Sequence, residues 1–351
     1  MTAPWGKRTD MTVHEAEPFN AEAPRAALRS ARTPLDAFYV RSHGPVPLIA
    51  PDDWRLRVDG LVDRELTLSF DGLRERYAHR EVVATLQCAG NRRSVLIALR
   101  DIPGHPWGSG ATGTASWHGV ALADVLAEAG VRDGARHVAF LGAELSHEPD
   151  PPERFGASIP LEKALRDEVL LAWEMNGEPL APVHGAPVRA IVPGYIGARS
   201  VKWLQHVTVQ EHPSTNFFQS VAYRLDGEAL GAIPLNADIV SPIDGATVPA
   251  GELRVSGYAL AGDGCEVASV EVSADGGATW RPAALSAEGG RWAWRRWEAA
   301  VEIAPGSAEI VARARDERGA THAADATEVW NVAGYANTAW PRVRVTATAP
   351  G

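Results

Sequence analysis

Thiols are scarce in this chain: its 351 residues include two cysteines, Cys88 and Cys265. Two cysteines cannot make a disulfide scaffold. With no Cys-x-x-Cys pair there is also no thiolate zinc cluster and no Cys-x-x-Cys-His haem attachment. Long apolar runs are missing, and nothing approaches the roughly 18 residues of a membrane span. The opening segment "MTAPWGKRTDMTVHEAEPFNAEAP" has early basic residues, but no apolar stretch follows them and no arginines are paired. It therefore reads as neither a Sec nor a twin-arginine leader, and a cytoplasmic protein is expected, periplasmic if a leader has been removed. Net positive charge is absent as well. A formal charge of -10 argues against non-specific nucleic-acid binding, which draws on basic surface. No G-x-G-x-x-G or Walker sequence occurs; "GSGATGTAS" at 108–116 has glycines at the wrong spacing and reads better as a tight active-site loop.

What is present divides into two textures. The length suits two domains. Residues 1–37 are rich in alanine, proline and charge and read as a loosely ordered or surface-draped arm. From 38 to 235 the chain is a dense α+β mixture. In "WRLRVDG" Trp54, Leu56 and Val58 alternate with polar residues, the pattern of a half-buried strand. In "SWHGVALADVLAEAG" two sets, Val120, Ala123, Leu126 and Leu122, Val125, Ala129, make a helical stripe that ends at Gly130, a suitable C-cap. "HVAFLGA", "EVLLAWEMNG" and "PVRAIVPG" read as strands closed by glycine or a turn, and Val207 and Val209 make the end of "VKWLQHVTVQEH" extended. From 236 to 351, short alternating runs separated by Gly, Asp and Pro turns predict a β-sandwich. There Trp292 and Trp294 of "RWAWRRW" are expected on one strand face, in the core or at a dimer contact.

The stretch "ATLQCAGNRRS" at 84–94 places one of the scarce thiols beside Gly90, Asn91, Arg92 and Arg93. A lone cysteine at a strand end is commonly a small core residue. Here the residues after it are poor core material, and guanidinium groups beside a thiol favour the thiolate, which attacks electrophiles or binds metal. From the residues alone, core residue, nucleophile and metal ligand all stay open. Further basic segments, Arg41 and His43 in "FYVRSHGPVP" and His184, Arg189, Arg199, Ser200 and Lys202 in "PVHGAPVRAIVPGYIGARSVKW", suggest a pocket for an anionic cofactor.

Together "FYVRSHGPVP", "LQCAGNRRS", "FGASIPLEKAL", "VLLAWEMNGEPLAPVHGAPVRAIVPGYIGARSVKWL" and "VWNVAGYANTAWPRVRV" resemble the sulfite oxidase family of molybdenum enzymes over roughly 38–347. The resemblance implies a mixed α+β molybdopterin domain followed by an immunoglobulin-like dimerisation domain. It implies Cys88 as the protein ligand to molybdenum, and molybdopterin contacts from His43, His184, Arg189, Ser200 and Lys202 with Arg199 close by. Arg41 and Arg93 are expected to bind the substrate anion, with Trp107 shaping the pocket and Tyr223 as the active-site tyrosine. The implied reaction is oxidation of sulfite to sulfate by oxygen-atom transfer, with electrons passed to a separate acceptor such as a c-type cytochrome, since no haem domain is recognisable. Departures are visible: Ala222 stands where an Asp usually precedes the tyrosine, Ala333 where the family carries a substrate arginine, and Pro341 where it has a histidine. Ala333 is the reason a same-fold enzyme acting on another small oxo-compound, such as a sulfoxide, stands as the alternative. A cysteine hydrolase, with His184 or His43 as base, has no local signature, and Cys265 in "GDGCEV" has no catalytic context.

Overall fold

A computed structural model describes residues 4–262 and 264–349. Its first part holds two five-stranded sheets. One sets His79–Gln87 beside Thr112–Ala121, then Leu170–Met175, which carries both Glu178–Pro179 and Arg189–Ile191; every pairing is antiparallel. The other runs Leu66–Ser69, Arg55–Gly60, Leu204–Gln210, His137–Ser146, Glu153–Pro160, and its one parallel pairing joins Arg55–Gly60 to Leu204–Gln210. The alternation in Arg55–Gly60 does its expected work: Leu56 and Val58 are buried while Arg55 and Arg57 face solvent. Helix Leu122–Ala129 buries Leu122, Val125, Leu126 and Ala129 and stops at Gly130, whose φ of 73° is costly for other residues. Val120 lies in the preceding strand, so the expected helical stripe begins two residues too early.

From Asn236 the chain forms a β-sandwich. Four strands, Asn236–Ser241, Gly251–Leu260, Arg295–Ile303 and Ala284–Leu285, face five, Ala246–Pro249, Arg342–Thr348, Gly306–Asp316, Val267–Ser273 and Arg281–Pro282. Its core of Val255, Val270, Trp297, Ile310 and Val343 comes from the inward positions of both sheets.

Two expectations are corrected. The N-terminal segment is not loose. Residues 1–3 lie outside the described residues, but from Pro4 the chain is packed, with Thr12–Glu15 and Asn20–Glu22 paired and Met11, Phe19, Ala21 and Leu28 buried. Ala23 is held by Gly110, whose carbonyl accepts from the Ala23 amide at 2.9 Å; a Cβ on Gly110 would lie 2.2 Å from the Ala23 oxygen. The second correction concerns Trp292 and Trp294, which sit in the turn before Arg295–Ile303 rather than on its face. Trp294 stacks on Tyr258 at 4.9 Å, and its amide donates to Thr85 Oγ1 at 2.8 Å, while the Thr85 amide donates to the Trp292 carbonyl at 2.9 Å. These tryptophans join the sandwich to the first domain beside the strand that leads to Cys88. Among the described residues no helix is long and apolar enough to cross a membrane.

Candidate active site

Cys88 follows directly on His79–Gln87. The next residues form a turn pinned from several sides: the Cys88 amide donates to Ala111 O at 2.9 Å, the Asn91 amide to Cys88 O at 3.0 Å and the Arg92 amide to Gly108 O at 2.7 Å. Asn91 Oδ1 accepts from the Ala111 amide at 3.1 Å, so the asparagine braces the loop and is not a site residue. Arg92, at φ 62°, sends its side chain the other way, to the carbonyls of Ala339 at 2.8 Å and Ala237 at 3.3 Å in the second domain. Arg93 turns into the pocket. Its Nε donates to Gly334 O at 3.2 Å and its Nη1 to His105 O at 3.3 Å. A Cβ on Gly90, Gly104 or Gly334 would come within 2.7 Å of the Arg93 side chain, so three glycines form its cradle.

Two cavities meet at this turn and share Arg41, His43, Cys88 and Tyr223. The inner one is further walled by Tyr39, Glu144, His184, Arg189, Ser200 and Lys202. Arg189 is stretched between His184 O and Ser200 O, both at 2.9 Å, and its guanidinium lies over Trp117. Ser200 Oγ accepts from the Val192 amide at 3.0 Å. Lys202 Nζ donates to Ser42 Oγ at 2.8 Å and Val183 O at 3.2 Å. Burial lowers the Lys202 pKa to about 7 against the opposing pull of Glu144, and lowers Arg189 to about 10. Burial, then the nearby cations, keep His184 and His43 neutral, well below the usual histidine range. The buried carboxylate of Glu144 accepts from the His43 amide at 2.7 Å and the Gly44 amide at 3.2 Å, and burial raises its pKa.

The outer cavity adds Arg93, His105, Trp107, Glu148, Ala333 and Tyr335. Arg41 is tied to Glu148 by a 3.2 Å ion pair and to the Ser42 carbonyl; burial opposes its charge, but Tyr223 and Glu148 outweigh it and raise the pKa. Tyr223 sits at φ 54° with its hydroxyl 2.7 Å from His43 Nε2 and its ring stacked on Tyr335 at 5.4 Å. Burial raises the Tyr223 pKa well above normal, so the phenol keeps its proton. Trp107 is buried with its ring edge against His14 at 4.5 Å. No third arginine takes the place that Ala333 leaves open in this lining; the added basic groups are His105, whose Nε2 is 3.1 Å from Glu15, and His147.

Of the residues expected from the sequence, ten line one or both cavities: Cys88, Arg41, Arg93, Tyr223, Trp107, His43, His184, Arg189, Ser200 and Lys202. Arg199 does not. Its guanidinium donates to Leu230 O at 2.8 Å and Phe218 O at 3.1 Å behind the wall. The sequence reading missed Glu144, and it missed Lys7, Glu15 and His105. Two acids at ordinary spacing, a lone histidine and a lysine in an alanine- and proline-rich N-terminal segment gave no signal.

The lining tells what fits. Arg41, Arg189 and Lys202 face the inner cavity, whose lining holds one acid, the buried Glu144, while Arg41 also pairs with Glu148 on the outer side. Buried charge of one sign is costly unless an opposite charge is bound, so the inner cavity suits an anionic group with a polar rim. Cys88 at the junction offers that group one soft sulfur.

Comparison with known proteins agrees with this chemistry. Residues 43–218 match the family described as "Oxidoreductase molybdopterin binding domain" and residues 228–348 match "Mo-co oxidoreductase dimerisation domain". The chain is similar to the sulfite oxidase of Gallus gallus, at 43% identity over 95% of this chain and 77% of that protein. It is similar to the mitochondrial sulfite oxidase of Homo sapiens at 40% identity over 95% of this chain, and spans 65% of that protein. Among solved structures it is similar to the sulfane dehydrogenase SoxCD from Paracoccus pantotrophus, with TM-score 0.81 and 26% identity over 96% of this chain and 86% of that one.

Proposed function

The chain belongs to the sulfite oxidase family of molybdopterin-binding oxidoreductases, and on that premise we propose that it oxidises sulfite to sulfate and passes the electrons to a separate acceptor. The observation that carries the proposal is the meeting of the two cavities at Cys88, with a cationic inner chamber on one side and Arg41, Arg93 and Tyr223 on the other. In this reading His184, Arg189, Ser200 and Lys202 hold the molybdopterin, with His43 and Glu144 at its edge, and Cys88 is the protein's ligand to the metal. When bound, the molybdenum cofactor supplies the oxygen atom that sulfite gains and takes up the two electrons that it loses.

The protein's own groups bind and orient. Arg93 and Arg41 draw the anion into the outer cavity and pair with its oxygens. The phenol of Tyr223 stays protonated. With a proton on His43 Nε2, the 2.7 Å contact runs from imidazole to phenol oxygen and leaves the O–H free to donate toward the substrate. Buried Trp107 closes the side of the chamber next to Cys88 and excludes water there. Pairing into a homodimer through the C-terminal domain is part of this reading, and sedimentation at the mass of a single chain would overturn it.

The test is sulfite-dependent reduction of an artificial acceptor, and of cytochrome c beside it, normalised to molybdenum per chain. Turnover supports the reading, and molybdenum-loaded protein without turnover rejects sulfite. Ala333 gives a sharper measurement. Ala333→Arg adds a third guanidinium to the wall of the outer cavity, so the KM for sulfite is expected to fall by roughly ten- to a hundredfold, the worth of one charge-assisted contact of about 1.5–3 kcal/mol. An unchanged KM at fixed ionic strength would mean that the anion does not approach this wall.

A further inference from the structure

Lys7 is a buried cation that nothing so far described uses. It is only 2% exposed, although it lies in the first strand-free stretch of a surface segment. Its ammonium donates to Leu35 O at 2.5 Å and Phe38 O at 3.0 Å and lies 2.6 Å from Nε2 of His184. Both Phe38 and His184 line the inner cavity, so Lys7 stands directly behind its wall. The neighbouring backbone holds it there, the Arg8 amide donating to Asp36 O at 3.0 Å and the Lys7 amide to Pro4 O at 3.3 Å.

We propose that Lys7 is a positioning residue for the bound molybdopterin, acting through His184: it fixes which ring nitrogen of His184 carries the proton and adds positive charge behind the wall. The inference rests on the cofactor reading above. An ammonium has three protons to donate and no lone pair to accept with. Two of the protons go to Leu35 O and Phe38 O, and the third points at His184 Nε2. Nε2 must then be the acceptor, the imidazole proton sits on Nδ1, and Nδ1–H is the donor left to the cavity. A neutral lysine would reverse this arrangement, accepting from Nε2–H and leaving Nδ1 as a bare acceptor facing an anion. Burial lowers the Lys7 pKa to about 7, with Asp36 as its main opposing partner. An anion in the inner cavity therefore selects the ammonium form, and through it the His184 tautomer that donates to that anion. A segment that looks like a tail thus sets the hydrogen-bond polarity of the cofactor pocket.

The experiment compares wild type, Lys7→Met and Lys7→Arg, each produced as full-length protein in a host that makes the cofactor. Molybdenum and pterin retained per chain are followed against time after dilution, and the melting temperature of cofactor-free protein is taken for each. Lys7→Met is expected to lose pterin about tenfold faster or more, with the cofactor-free melting temperature changed only modestly, because removal of a buried cation offsets the lost donor to the Leu35 and Phe38 carbonyls. Lys7→Arg is expected to recover part of the retention. The ring-nitrogen NMR shifts of His184 in cofactor-loaded wild type give an independent reading that needs no variant, and are expected to show the proton on Nδ1. Equal retention in Lys7→Met, a fall in its cofactor-free melting temperature large enough to explain the loss, or a proton on Nε2 in the loaded wild type would each overturn the inference. Wild-type protein that carries no pterin at all overturns the cofactor reading itself, and this inference with it.

Discussion

The Cys88→Ser protein is expected to show no sulfite-dependent turnover above background while keeping its fold and most of its pterin. The change removes the one soft ligand atom at the junction of the cavities and puts a hard hydroxyl there. A hydroxyl is not deprotonated at neutral pH and ligates a thiophilic metal poorly. The structure separates this effect from unfolding. Cys88 packs beside Phe38, Leu86 and Trp107 in a small cluster, and serine is close to it in volume. The turn it begins is held by backbone bonds to Ala111 and Asn91, which serine leaves intact. The groups assigned to the pterin, Arg189, His184 and Lys202, are anchored on other segments and are untouched. Pterin content and melting temperature should therefore stay near wild type while activity per chain disappears. Turnover per molybdenum comparable with wild type would take Cys88 out of the metal's coordination and reopen its reading as a core residue.

Arg93→Met is the second large effect. The KM for sulfite is expected to rise by about one to two decades, from the loss of about 1.5–3 kcal/mol of charge-assisted binding. Arg93 is the better probe than Arg41 for an electrostatic reason. Arg41 already shares its charge with Glu148 at 3.2 Å, so its removal also frees a carboxylate beside the substrate. Arg93 is held by the carbonyls of Gly334 and His105 and over the ring of Tyr335, and these leave its charge uncompensated. Its remaining nitrogen, Nη2, has no acceptor among the described residues. Methionine keeps the length and apolar stem in the glycine cradle. Two carbonyls lose their donor, which lowers the melting temperature modestly, so KM must be read alongside it. Arg93→Lys should recover part of the binding by charge alone, without the planar fork. The KM of wild type should rise with ionic strength more steeply than that of Arg93→Met. Equal salt slopes would place the anion elsewhere.

The sequence made the centre of the site legible and left its surroundings dark. Cys88 and Arg93 stand in a run whose residue types conflict with a core, and that conflict is local enough to read. The split between Arg92 and Arg93 is not. It depends on the left-handed backbone at Arg92, which sends the Arg92 side chain to the carbonyls of Ala237 and Ala339 and leaves Arg93 facing the pocket. The resemblance and the basic segment at 182–203 put Arg199 close to the cofactor, yet neighbours on a tight turn point apart, and its guanidinium serves the carbonyls of residues 218 and 230. Glu144 and Lys7 reach partners 101 and 177 positions away, His43 and His184 respectively, and no spacing rule spans such distances. The N-terminal segment was misread because its anchors, Met11, Phe19 and Leu28, follow neither a helical nor a strand period. They fill gaps on a surface built by other parts of the chain. The β-sandwich, by contrast, was readable because strands such as Arg295–Ile303 and Arg342–Thr348 bury every second residue.

The stretch that closes over Arg93 lies almost at the end of the chain. Gly334 O receives Arg93 Nε, the Ala336 amide donates to Ala89 O at 2.8 Å, Asn337 Nδ2 donates to Arg92 O at 2.9 Å, and Ala339 O receives Arg92. The turn around Cys88 is therefore clamped by residues that leave the ribosome some 250 positions after it. Until residues 334–339 have docked, Ala89, Arg92 and Arg93 lack these partners. Synthesis of the polypeptide and completion of the site are thus separate events, and the second waits for the last strands to dock. A frameshift before residue 334 should therefore yield a protein poor in bound pterin.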